Sequence, residues 1–292
     1  MVPLGNGHVP SAINSNGHLR GEAAYLDARF LAMQPEYEAM LRDVGFRRGW
    51  TILDAGCGGG SSLPLLSTLI GSSGFLHALD LAPENITAVQ RLAQTGVIAC
   101  PITTHVGSVL YLPLADRSVD AVWNANVSQY LNDAELRIML REFCRVTKPG
   151  GTVAIKEIDA RLFQIHPIPP PLIWHLFEAA QRNAVVQPSG ALRTADLPRW
   201  LREAGLINIA VHDTPITRRA PLRSVERHAL HEIMQMLLHW AIEAAVAEDE
   251  VDQWRAYADP AGSRYVLDHP DLCWWETQTV ITGQIPATIA RS

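Results

Sequence analysis

The stretch Thr51-Ile-Leu-Asp54-Ala-Gly56-Cys57-Gly58-Gly-Gly60-Ser-Ser holds the residues best spaced for chemistry: an acid, then glycines at alternate positions. Glycine lets a backbone turn sharply and come within contact distance of a ligand, an approach that a Cβ would block. Asp54, two positions before the first glycine, limits what that ligand can be. A bare helix N-terminus after such a turn holds a pyrophosphate. A carboxylate at the strand end repels phosphate and suits a cationic or hydroxyl-bearing partner, which favours S-adenosylmethionine over a nicotinamide dinucleotide. The third glycine of a G-x-G-x-x-G pattern is replaced by Ser61, a further departure from the dinucleotide fingerprint.

Three more spacings follow in order. Asp80 ends an apolar run 20 residues after Gly60 (80 − 60), Gly107-Ser108-Val109-Leu110 follows another, and Arg145-Val-Thr-Lys148-Pro149-Gly150-Gly151 precedes a third. To position them the chain must alternate short strands with helices. Strands are expected over 51–55, 75–79, 98–105, 119–123 and 152–157, and helices over 61–70, 83–95 and 133–146. Pro83 suits a first helical turn, and Lys148-Pro-Gly-Gly reads as a turn that stops the last of these helices. Before them, Tyr25, Phe30, Met33, Tyr37 and Leu41 stand at helical spacing and predict one helix over 21–45. Beyond Glu157 the proline- and aromatic-rich 161–188 predicts a loop and one helix. A helix over 194–204, a strand over 206–214, a long helix over 225–247 and a last strand over 272–282 complete the reading. Alternation of this kind is the signature of a parallel sheet covered on both faces, with ligand at the carboxyl ends of its strands.

With four motifs in order, the chain resembles the class I S-adenosylmethionine-dependent methyltransferases, especially the ubiquinone and menaquinone C-methyltransferase branch. The resemblance is continuous over about residues 47–158 and weaker over 192–214. It implies an α/β, Rossmann-like fold: seven mostly parallel strands with helices on both faces, an antiparallel last strand, an N-terminal helical lid and a helical insertion before that strand. The domain plan is a disordered tail over 1–20, a lid over 21–46, and a cofactor-binding domain over 47–292 with caps at about 160–190 and 220–260. Carried onto matching positions, the backbone of Gly56, Cys57, Gly58 and Gly60 would approach the methionine moiety, with Asp54 orienting the turn or the ammonium group. Asp80 would hold the ribose hydroxyls, Leu81 and Ile86 would flank the adenine, and Asn124 would border the sulfonium. Ser108 stands where relatives often carry an acid toward the adenine amine, and Val109 would add its N–H and an apolar surface.

The resemblance implies S-adenosylmethionine as cofactor, S-adenosylhomocysteine as product, and methyl transfer to oxygen, nitrogen or carbon of a hydrophobic small molecule, in specialised or quinone-like metabolism. No His-His follows strand four, where many relatives carry it; the segment reads Asn126-Val-Ser128-Gln129-Tyr130-Leu131. His166 and His175 fall in the cap without a partner at useful spacing. No general base is assigned. Tyr25, Phe30, Tyr130, Trp174 and Phe177 are the candidate walls of an acceptor pocket, with ordinary core packing as the alternative for each. Cyclisation or rearrangement on the same fold, and nicotinamide-dependent redox chemistry, remain the competing enzyme classes.

Net charge is −6 over 292 residues and no basic stripe is present, which argues against nucleic acid as a partner. The densest basic run, Arg218-Arg219 with Arg223 and Arg227, reads as a solvated approach to a helix. Cysteines at 57, 100, 144 and 273 form no CxxC and no metal spacing, so neither a disulfide framework nor a metal is expected, and the cytoplasm is the expected compartment. The apolar stretch 229–246 carries Glu232, His239 and Glu243 and is not a membrane span. A helix apolar on nearly all sides must be covered, under a cap or by a second subunit.

Overall fold

The computed structural model describes residues 23–287, with side chains from Ala28; the 1–20 tail and the Tyr25 side chain lie outside the described residues. Two helices, α1 (Ala23–Ala32) and α2 (Gln34–Asp43), precede the alternating core. That core runs β1 (Thr51–Ala55), α3 (Leu63–Ile70), β2 (Phe75–Asp80), α4 (Pro83–Gln94), β3 (Ile102–Val106), β4 (Val119–Ala125), α5 (Asp133–Val146) and β5 (Thr147–Ile158). After it come β6 (Gln164–His166), α6 (Pro170–Arg182), α7 (Val186–Leu192), α8 (Leu197–Glu203) and β7 (Ile207–Arg219). The chain then adds α9 (Ser224–Glu243), α10 (Glu248–Ala258) and β8 (Cys273–Gln284). The sheet order is β3-β2-β1-β4-β5-β8-β6, with β7 also on β8. β1 to β5 pair in parallel, and β8 enters antiparallel. The registers put β5 and β6 end to end along one edge of β8 and β7 along the other.

The two-residue strand period divides the core between the faces of the sheet. Ile52, Ala121, Trp123 and Ala154 face one layer with Met40, Leu41, Leu63, Leu66 and much of α9. Leu53, Ala55, Val122, Val153 and Ile155 face the other, against Leu136, Met139, Leu140 and Phe143 of α5 and Trp200 of α8. Strands buried on both faces need no polar alternation, which is why Ile52-Leu53 of β1 and Ala121-Val122-Trp123 of β4 are apolar on successive residues. Asn132 caps α5: its Oδ1 accepts from Ala134 N and Glu135 N, and Glu135 returns a bond to Asn132 N.

Several expected boundaries move. The single helix over 21–45 is two, because Pro35 in the first turn of α2 has no N–H to continue the ladder and restricts the residue before it. β3 starts at Ile102 rather than 98: Pro101 accepts from Leu76 N but has no donor to return. β5 starts at Thr147, because the Lys148-Pro-Gly-Gly segment is a bulged entry into the strand, with a register shift opposite Val119–Ala121. The sheet has eight strands among the described residues, not seven; the extra one, β6, holds only by pairing with β8. The long helix stops at Glu243, where Ala245 takes φ +51°, and α10 follows. α9 buries one face within this chain and leaves Ile242 52% exposed, so it is not covered all round.

Arg218 is no solvated approach. Its guanidinium meets Glu36 of α2 through two bonds of 2.9 Å, donates to the Ala32 carbonyl at 2.9 Å, and lies 3.0 Å from Glu226 of α9. One side chain on β7 therefore ties both covering helices to the sheet, in the bidentate geometry that arginine favours. Arg218→Met keeps the stem but leaves Glu36 and Glu226 without their shared cation. The expected loss is about 2–4 kcal/mol, read as a lower urea midpoint at unchanged m-value.

Candidate functional site

Residues at the carboxyl ends of β1, β2, β4 and β5 line one cavity of about 1000 Å3, walled on its other sides by α1, α2, α7 and α9. Its glycine-rich floor is built by hydrogen bonds from the neighbouring strand. Gly56 N and Cys57 N both donate to the Leu79 carbonyl, at 2.7 and 2.9 Å, and Gly60 N closes the turn on Cys57 O. Gly56 takes φ +84°, and a Cβ there would fall 2.3 Å from Val127 Cγ2, so both conformation and space demand glycine. Gly60 lies behind the cavity, with Leu63, Val89 and Leu92 around it, and packs the helices against the turn.

Asp80 binds the turn to the next helix. Its Oδ2 accepts from Gly58 N at 2.9 Å, and its Oδ1 accepts from Ala82 N and from Asn85 Nδ2. The carboxylate is thus held in one orientation at the cavity edge, with lone pairs left on each oxygen. Asp54 is 1% exposed yet lines the cavity, and its Oδ2 accepts from Ser62 Oγ at 2.8 Å. No cation lies within ion-pair reach of it among the described residues. Burial pushes its carboxyl up to about 7; the Ser62 bond opposes this and Asp80 adds to it. Ser108 and Val109 line the same end, with Ser108 Oγ accepting from Leu110 N, while Leu81 stands 45% exposed at the rim.

Two predicted neighbours are elsewhere. Asn124 does not line the cavity; it is fully buried in β4, its Nδ2 donating to the Ala55 carbonyl at 2.6 Å, and Ala125 and Asn126 reach the cavity instead. Ile86 is core of α4 and also off the lining. At the other end Phe30, Tyr130 and Phe177 line the cavity, the Tyr130 hydroxyl accepting from Gln187 Nε2. Trp174 sits on the outward side of α6, 58% exposed, and lines nothing. Helical periodicity puts Ile173, Leu176 and Phe177 on the buried face and rotates Trp174 away. α9 supplies wall residues that sequence reading had left as a generic apolar helix: Ile233, Met236, Leu237 and Trp240.

Between the two ends lies a polar cluster that sequence reading missed. Arg29 of α1 donates to the Tyr37 hydroxyl at 3.2 Å and to Glu276 Oε1 of β8 at 3.3 Å. Lys156, 3% exposed near the end of β5, donates to Asn126 Oδ1 at 3.0 Å, and its Nζ lies 3.9 Å from the centroid of the Tyr37 ring. Asn126 itself takes φ +57°, a strained position that turns its amide onto the lysine. Burial first, and Arg29 second, push Lys156 down to about 7; Glu157 and Glu276 oppose them. Burial also raises the Tyr37 phenol. The available signal was a lysine and a glutamate adjacent inside a strand expected to be buried, in a chain with only two lysines.

The family described as "Methyltransferase domain" matches residues 52–151. A malonyl-[acyl-carrier protein] O-methyltransferase of Dechloromonas aromatica is 34% identical over 112 residues, which cover 38% of this chain and 38% of that protein. A demethylmenaquinone methyltransferase of Staphylococcus aureus is 34% identical over 122 residues, covering 40% of this chain and 47% of that one. The matches therefore span less than half the length of either curated relative. In the solved structures, phosphoethanolamine N-methyltransferase 2 of Haemonchus contortus, in complex with S-adenosylhomocysteine, superposes with a TM-score of 0.53 at 16% identity. That superposition covers 90% of this chain and 57% of that one, a likeness of fold.

Asp54 gives a pH signature. Its carboxyl titrates near 3.9 when unfolded and near 7 when folded, so the folded state holds the proton more tightly. Stability of the unaltered chain falls as pH rises from about 4 to about 7 and levels off above. Asp54→Asn keeps an acceptor for Ser62 without the charge. Its Tm should draw ahead of the unaltered chain across that window and keep the lead at higher pH. Calorimetric scans across that pH range check this; a constant Tm difference would mean that Asp54 ionises normally.

Proposed function

With residues 52–151 forming a methyltransferase domain of class I fold as the premise, we propose that this protein transfers a methyl group from S-adenosylmethionine to a hydrophobic small molecule. The observation that carries this reading is the two-ended cavity: fixed acids and backbone at the glycine turn, aromatic and aliphatic walls at the other end. Its volume is at the top of the ~300–1,000 Å3 span of ligand sites, enough for an acceptor beside a nucleoside.

The residues fit the cofactor. Asp54 is a buried carboxyl without a cation among the described residues, and the ammonium of the methionine moiety is a cation that needs a partner. Asp80, already oriented by three donors, has lone pairs left for two ribose hydroxyls. Leu81 at the rim and Val109 offer apolar surfaces for the adenine, with the Ser108 hydroxyl beside them. Cys57 and Gly58 expose backbone to the cavity, and Gly56 makes their approach sterically possible. The bound sulfonium supplies a methyl carbon with an excellent leaving group. What remains for the chain is to hold the acceptor in line and keep water out.

Phe30, Tyr130 and Phe177, joined by Met236 and Trp240 of α9, form the acceptor end. α1 and α2 serve as the N-terminal lid, pinned by Arg218. The apolar lining favours an acceptor of specialised or quinone-like metabolism.

Calorimetry with S-adenosylmethionine and S-adenosylhomocysteine is the direct test. Micromolar binding of both is expected, and a folded sample that binds neither would overturn the proposal. Asp80→Ala should weaken binding by roughly 1.5–3 kcal/mol; unchanged affinity would remove the ribose role.

A further inference from the structure

We propose that Lys156 takes the proton from the acceptor, and that the acceptor accordingly presents an O–H acid, a phenol or enol, on an apolar body. This rests on the methyl-transfer reading of the same cavity.

Geometry separates Lys156 from a structural cation. An ammonium has three donors to satisfy, yet Nζ makes one hydrogen bond, to Asn126, and otherwise faces the Tyr37 ring and the cavity. Among the described residues no carboxylate lies within ion-pair distance of it. The charged groups around it bond to other residues, with Glu157 Oε2 left unpartnered among the described residues. Glu276 from β8 takes Arg29 of α1 together with Trp274 and Gln278, and Glu157, next on β5, takes Ser128 Oγ and Gln129 N. Tyr37 from α2 is held by Arg29 and, with its phenol raised by burial, stays protonated at neutral pH. A neutral amine with its lone pair on the cavity fits this setting, and burial lowers its proton affinity into the neutral range.

Residue choice points the same way. The chain carries 22 arginines and two lysines, and Arg29, the other buried cation among the described residues, is an arginine. Arginine cannot release a proton at any working pH; lysine can. An aromatic amine is neutral at working pH, brings its own lone pair and needs no such group, whereas a hydroxyl needs its proton removed as it attacks. The step balances. The O–H proton passes to Nζ, the oxygen bonds the methyl carbon, and the carbon–sulfur bond breaks with its electron pair left on a now neutral thioether. The ammonium of Lys156 returns the proton to solvent as product leaves.

With Lys148→Arg, which alters the partner of Asp120 at the end of β4 away from the cavity, Lys156 becomes the sole lysine. Lysine-selective 15N labelling then gives one side-chain resonance to titrate by NMR in the S-adenosylhomocysteine complex. A midpoint within about one unit of neutrality is expected, against about 10.4 for a free lysine. Adding 4-nitrophenol below its own midpoint should generate phenolate absorbance, which K156M loses. A resonance that stays ammonium past about pH 10, or phenolate that survives in K156M, overturns the base. No phenolate with the unaltered chain overturns the acceptor class. Calorimetry on the same samples keeps the readings apart. Failure of the unaltered chain to bind S-adenosylhomocysteine defeats methyl transfer itself, whereas binding with a permanently charged Lys156 defeats only this inference.

Discussion

The end of β2 holds the turn that follows β1. Leu79 gives one carbonyl to two N–H groups, Gly56 and Cys57, and the Asp80 carboxylate takes a third, Gly58. This is possible only because β1 and β2 pair in parallel with Ala55 opposite Leu79, so both strands end at the same height. From there the geometry is forced. The turn must double back over the strand end, so Gly56 must take a positive φ, and Val127 closes over it from the β4 side. Asp54 is left facing inward beneath the turn, and the cavity opens where the strands stop.

Burial acts on two groups of this cavity with opposite signs and one cause. Removing water disfavours whichever form is charged, so the acid Asp54 moves up and the base Lys156 moves down, each to about 7. The two do not neutralise each other, since among the described residues Lys156 has an amide and a ring for partners. A site with such uncommitted groups is costly for the empty protein, and the covering helices maintain that cost by excluding solvent. Arg218 matters for this reason: it fixes the helices that keep the cavity dry, using carboxylates remote from the chemistry.

The legible parts of the sequence were those governed by local rules. β1 and α5 have the boundaries expected from apolar period and from the proline and glycine that follow. Parts that depend on distant pairing were illegible. β6 is three residues long and exists because β8, more than a hundred residues later, offers it an edge. The break after Glu243 turns on Ala245 at φ +51°, a conformation that alanine's identity does not announce. Asn124 and Trp174 failed as site residues for one reason. Strand and helix periods fix which neighbours share a face, but the absolute face comes from packing.

By itself, then, the sequence determined the alternating α/β order, the glycine turn and the two acids beside it, because those rest on steric and hydrogen-bonding constraints within a few residues. Only the tertiary structure decided which aromatic side chains meet across the cavity, that Arg218 within a run of arginines clamps two helices, and that Lys156 sits without a counter-ion among the described residues. Those properties arise from what elements far apart in the chain exclude or supply around a group, water above all, and no local spacing encodes them.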